Sequence, residues 1–175
     1  MIVFRNTDLD VPFAWENDRQ PAGRWHADGH GPALYASSTP SAAWAEFLRH
    51  HGIVDPADLP GIERAMWALE IPDDEPTASP RLRAAELTGD ESTYAACQVE
   101  AARLRARGTT RIIAPSAAVL PGTSSGWRTD GGLRPAPPRD EDTIVLFGPR
   151  PTVVGWFAAA PGHPEEELLG RTRRL

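Results

Sequence analysis

The stretch GRWHADGHGPALYASSTPSAAWAEFLRHHG, residues 23–52, decides the reading of this 175-residue chain. Gly29-His30-Gly31-Pro32 is a turn-forming cluster. Ala33-Leu34-Tyr35-Ala36-Ser37 then reads as a short strand. Thr39-Pro40 opens a helix, with a hydroxyl at the N-cap and proline at the first helical position. The helix runs from Ser41 to about His51 and stops at Gly52. Trp44, Phe47, Leu48 and His51 form its apolar stripe, which leaves Glu46 pointing away, as a solvated glutamate within reach of Arg49 at i+3.

Working outward, Ile2–Arg5 reads as a first strand, and Ile62–Ile71 as a second, with Ala65, Trp67, Leu69 and Ile71 on one side. Residues 81–87 form a short helix closed by Gly89, and a clearer helix starts at Ser92 or Thr93 and ends before Gly108. Its last turn holds Arg103, Arg105 and Arg107, suited to the negative end of the helix dipole. Thr110–Ala114 is a strand, and residues 143–147 and 152–157 pair as a hairpin through Gly148-Pro149-Arg150-Pro151. Residues 122–142 lack periodicity and read as a surface loop. Strands and helices are mixed along the chain, so the expected fold is a compact α+β domain spanning residues 1–175.

Composition narrows the function classes. Leu, Ile, Val and Phe number only 34, but six tryptophans and a net charge of -6 favour a folded core over disorder. All 18 basic residues are arginine, which excludes Schiff-base chemistry, a P-loop and a lysine general base. The lone Cys97 excludes an internal disulfide and a cysteine-based zinc cluster. An acidic chain gives no electrostatic support for binding nucleic acid, and no run is long enough for a membrane span or patterned as a signal peptide. A cytoplasmic protein is expected. His26, Asp28 and His30 alternate, but their glycine-rich setting makes a poor rigid metal site, so none is expected.

Several residues stand out as chemistry-bearing. Arg24, next to Gly23, presents a planar donor fork suited to a phosphate, or else is a surface arginine covering Trp25. Tyr35 is a core tyrosine or an aromatic face for a flat heterocycle. Ser116 follows a strand and a proline, where a hydroxyl caps a turn, and no nucleophile elbow surrounds it.

Taken in order, Phe4-Arg5, Gly23-Arg24-Trp25, Leu34-Tyr35-Ala36-Ser37, Ala45-Glu46 and Ala114-Pro115-Ser116 resemble the RES domain, a family named for its arginine, glutamate and serine. The resemblance covers roughly residues 1–121 and is most specific from Gly23 to Glu46. It implies a fold related to the ADP-ribosyltransferases and a toxin that degrades NAD by hydrolysis or phosphorolysis at the nicotinamide–ribose bond. NAD then enters as substrate and no cofactor is implied. The implied catalytic residues are Glu46, Arg24, Tyr35 and Ser116, and those contacting NAD are Arg5, Arg24, Trp25, Tyr35 and Ser116. The implied partner is an antitoxin with a helix-turn-helix-type domain. The alternatives are an ADP-ribosyltransferase acting on a protein or small molecule, and an inactive nucleotide- or partner-binding module.

Overall fold

The computed structural model describes residues 1–174. Among these, the strands are β1 (Ile2–Thr7), β2 (Ala33–Ser37), β3 (Arg64–Glu70), β4 (Thr77–Ala78), β5 (Arg111–Pro115), β6 (Trp127–Thr129), β7 (Leu133–Pro135), β8 (Asp142–Phe147) and β9 (Val154–Gly162). The α-helices are α1 (Pro40–His50), α2 (Ala84–Thr88) and α3 (Tyr94–Arg105). Seven strands form one sheet in the order β4-β5-β8-β2-β1-β3-β9, and β6 and β7 form a separate ribbon. Every pairing in the large sheet is antiparallel except the short parallel contact of β4 with β5. The fold is α+β.

The strand at 33–37 is central because its side chains satisfy both faces of the sheet. Leu34 and Ala36 pack with Val3, Leu69, Ile144 and Leu146 on one face, covered by Phe13, Ala14 and Val153. Ala33 and Tyr35 turn to the other face, opposite Phe147 and Val145 of β8. Both long helices lie on this second face. Helix α1 buries Trp44 and Leu48 against Phe4, Met66, Ala118 and Val119. Helix α3 buries Cys97, Ala101 and Leu104 against Ala33, Ile112, Val145 and Phe147. The gap between the two helices, floored by β2 and β8, is the cleft described below.

Helix α1 forms as its sequence dictates. The Thr39 hydroxyl accepts from the Ala42 amide at 3.1 Å, a cap worth about 1 kcal/mol. At the other end Gly52 takes φ 63°, which lets the Ile53 amide return to the Leu48 carbonyl at 2.9 Å.

Two sequence expectations are corrected. β8 and β9 do not form a hairpin: β8 sits between β5 and β2, whereas β9 crosses to the far edge and pairs with β3. A strand such as β8, buried from Thr143 to Phe147, is stable only with neighbours on both sides and both faces covered. The Gly148–Pro151 connection leads away from it, held by Arg150 Nη2 donating to the carbonyls of Phe147 at 2.7 Å and Thr110 at 3.0 Å. The 122–142 segment is not wholly irregular, since it carries the exposed β6–β7 ribbon and ends in β8. Its return is anchored by the buried Glu141 carboxylate, which accepts from the Ser38 and Ser124 hydroxyls. No described helix is long and apolar enough to cross a membrane.

Candidate active site

Glu46 is half-buried instead of standing free in solvent. The side of α1 opposite its apolar stripe meets β8 and the turn after β5, so the carboxylate points into protein. Glu46 Oε1 accepts from the Ser116 hydroxyl at 3.0 Å and from the Thr143 hydroxyl at 2.9 Å. Oε2 has no hydrogen-bond partner among the described residues, and Glu46 lines the cleft. One oxygen is anchored and the other is free to act. Ser116 is itself fixed, because its Oγ accepts from the amides of Ala118 at 3.2 Å and Val119 at 3.3 Å. The serine caps a turn and holds the glutamate with the same atom.

Arg49 does not pair with Glu46. Its guanidinium donates to the carbonyls of Ala117 and, at 2.6 Å, Gly89. Arg24 is also buried, at 8% exposure, which rules out the surface position considered for it. Its Nη1 donates to the Thr93 hydroxyl at 2.9 Å and the Glu86 carbonyl at 3.2 Å, and its Nη2 to Gly89 at 2.6 Å. The two guanidiniums thus converge on one carbonyl oxygen. Among the described residues neither has a carboxylate within 4.0 Å. Burial lowers the Arg49 pKa, the Glu46 charge opposes that, and the neighbouring Arg24 charge adds to it. The Nη1 side of the Arg24 fork is taken up by protein acceptors, so what it offers the cleft is chiefly charge.

Tyr35 lies on the floor. Its hydroxyl contacts the Trp25 amide and His26 Nδ1, each at 2.9 Å, and burial drives its pKa up. Trp25 is buried in the α3 core and backs the cleft wall. Arg24, Trp25, Tyr35, Glu46, Arg49 and Tyr94 all line a cleft of about 420 Å³, within the range of small-molecule sites. Arg5 stands apart. It forms an ion pair with Glu16, both largely buried, and borders a second cavity of about 210 Å³. The two cavities meet at Tyr35, Glu46 and Thr143.

The sequence matches the RES domain over residues 3–151. The chain belongs to the RES family. Among solved structures it resembles a chain of the M. tuberculosis MbcT–MbcA toxin–antitoxin complex, with a TM-score of 0.60 and 14% identity, over 97% of this chain and 86% of that one. No curated protein matches it.

Within this RES domain, Arg49 and Thr143 are site residues that motif reading did not find. Arg49 was assigned to a surface pair by its i+3 spacing, and Thr143 is 97 residues from the carboxylate it holds. The one available signal for Thr143 was a hydroxyl at the head of the otherwise apolar run 143–147. Within the histidine–aspartate alternation at 26–30, His26 is committed to other contacts: both of its ring nitrogens bond within the protein, to Tyr35 and to the Pro21 carbonyl. Among the described residues no group of three or more His, Cys, Asp or Glu side chains is arranged to hold a metal ion. Cys97 is fully buried and its thiol pKa is raised by burial, so it packs as a small apolar residue.

Proposed function

We propose that this RES domain is a toxin that cleaves the nicotinamide–ribose bond of NAD, with water or inorganic phosphate as acceptor. The observation that carries the reading is the half-anchored Glu46, one oxygen fixed by two hydroxyls and the other open to a cleft that two guanidiniums also line. In NAD the C1′–N bond breaks with its electrons leaving on the pyridinium nitrogen, so nicotinamide departs neutral and needs no acid. The ribose carbon becomes cationic in the transition state, and a carboxylate fixed beside it is worth several kcal/mol in a water-poor site. A nucleophile then closes on C1′; with water, its proton is released to solvent and ADP-ribose forms.

In this reading Glu46 Oε2 faces the ribose. Arg24 and Arg49 supply the positive charge for the diphosphate, and neither is taken up in a direct ion pair with a carboxylate among the described residues. Tyr35 gives its ring to the nicotinamide end, with Trp25 behind it. Ser116, which the family resemblance implies to be catalytic and in contact with NAD, acts through Glu46 instead, since its lone pairs and proton are committed. Arg5 contributes from the second cavity, along the side from which an acceptor reaches Glu46.

A cytoplasmic enzyme that consumes NAD endangers the cell that makes it. That argument, together with the likeness to a chain from a toxin–antitoxin complex, supports a cognate antitoxin as partner. The family resemblance favours one with a helix-turn-helix-type domain. Incubating the purified protein with NAD, with and without phosphate, and weighing the products by mass spectrometry tests the chemistry. Free nicotinamide with ADP-ribose or its 1-phosphate supports the proposal. ADP-ribose attached to protein points to transferase activity, and intact NAD overturns the reading.

A further inference from the structure

The Tyr35 hydroxyl sits where its hydrogen bonds can be assigned one by one. The Trp25 amide, 2.9 Å away, can only donate, so the tyrosine oxygen accepts there. His26 Nε2 lies 2.8 Å from the Pro21 carbonyl, which can only accept, so Nε2 carries a proton. In the neutral ring Nδ1 is then a bare acceptor, and it lies 2.9 Å from the Tyr35 oxygen. The tyrosine proton has one place to go. Gly23 makes the arrangement tight: a Cβ there would meet the Tyr35 oxygen at 2.9 Å and His26 Cε1 at 3.0 Å.

The charges around the imidazole have opposing effects. Asp28 on the same turn and Glu16 of the preceding loop favour the protonated ring, whereas Arg105 of α3 opposes it. Burial outweighs them all and lowers the His26 pKa, which keeps the ring neutral near pH 7.

We propose that His26 is a positioning residue whose Nδ1 accepts the hydroxyl hydrogen bond of Tyr35, so that Tyr35 offers the substrate an aromatic ring and no hydrogen-bond donor. The inference rests on reading the cleft as an NAD site. A ring face without a competing donor favours a flat cation, which the nicotinamide of NAD is before cleavage and is not after it. Protonating His26 reverses the arrangement. Nδ1 becomes a donor to the tyrosine oxygen, the hydroxyl proton is released toward the cleft, and a positive charge appears behind the ring.

Two measurements test this. Long-range proton–nitrogen spectroscopy on the ¹⁵N-labelled protein reads the His26 tautomer directly. The Nε2–H form at about pH 7.5 is expected, and an Nδ1–H form or an imidazolium overturns the proposal. In steady-state kinetics the KM for NAD should rise about tenfold per pH unit below the His26 pKa, with a smaller change in kcat. Tyr35→Phe, which keeps the ring and its volume but has no hydroxyl proton to redirect, should shrink that acidic rise to the part caused by the imidazolium charge. His26→Leu should raise KM at neutral pH. His26→Gln, whose amide supplies one acceptor and one donor, should recover most of that loss and show no acidic rise. An acidic rise that persists in His26→Gln, or that is undiminished in Tyr35→Phe, overturns the proposal. A wild-type protein that neither binds nor cleaves NAD removes the reading of the cleft, and the tautomer alone then decides whether Tyr35 has a free donor.

Discussion

Glu46 combines two requirements that usually conflict, a fixed position and a free oxygen. Glu46→Gln keeps an oxygen able to accept from both Ser116 and Thr143 and removes only the charge. The variant is expected to melt within a few degrees of wild type and to lose on the order of 10²–10³ in kcat, with product release followed by chromatography. Thr143→Val is a milder test, because Ser116 still anchors Oε1. It should lower kcat by about tenfold and leave KM for NAD unchanged, the pattern of an interaction that matters only in the transition state. At this scale the motifs named Glu46, Arg24, Tyr35 and Ser116 from the sequence. What each side chain does was not legible there. Periodicity placed Glu46 in water because it describes one helix and knows nothing of the strand laid against its other side. The same blindness paired Arg49 with Glu46, when the carbonyls of Ala117 and Gly89 supply closer and better oriented acceptors.

Each element places these groups by local chemistry and holds them by packing. Thr39→Ala removes the α1 cap and should cost about 1 kcal/mol, read as a lower urea midpoint at unchanged slope. On α3, Glu100 takes two charge-assisted bonds from Arg103, each 2.6 Å, and one from the Arg81 amide. The Arg103 bonds lead in lowering its pKa from 4.5 to about 2. A carboxylate depressed in the folded state stabilises it above the unfolded pKa and loses that contribution as pH falls through the folded one. Glu100→Gln should therefore melt below wild type at pH 7, with the gap closing between pH 4.5 and about 2 in thermal scans. Helices α1 and α3 were legible because the Thr39 cap, the glycine stops and the terminal arginines are local signals, although the cap expected of Ser92 or Thr93 on α3 is not made: both hydroxyls donate to Asp90 instead. The partner of β9 was not. Adjacent apolar runs joined by four turn residues suggest a hairpin, but only the demand of β8 for a neighbour on each side decides otherwise.

Across the whole molecule, α+β character followed from the mixture of elements, whereas the cleft exists only because both long helices lie on one face of the sheet. Expression of this chain alone should slow growth and deplete cellular NAD, and co-expression of the proposed antitoxin should relieve both; a harmless lone chain that is active on NAD in vitro would speak for a biosynthetic role. Because Arg24 and Arg49 both close on the Gly89 carbonyl, the anion-facing wall and the α2–α3 connection are one cooperative unit. Any transient opening of residues 86–93 dismantles the wall, and anything seated on the wall resists that opening. Saturating Glu46→Gln with NAD should accordingly slow amide hydrogen exchange at residues 86–93 while leaving the remote β6–β7 ribbon unchanged. The connection's breathing would then report occupancy of the cleft without any turnover at all.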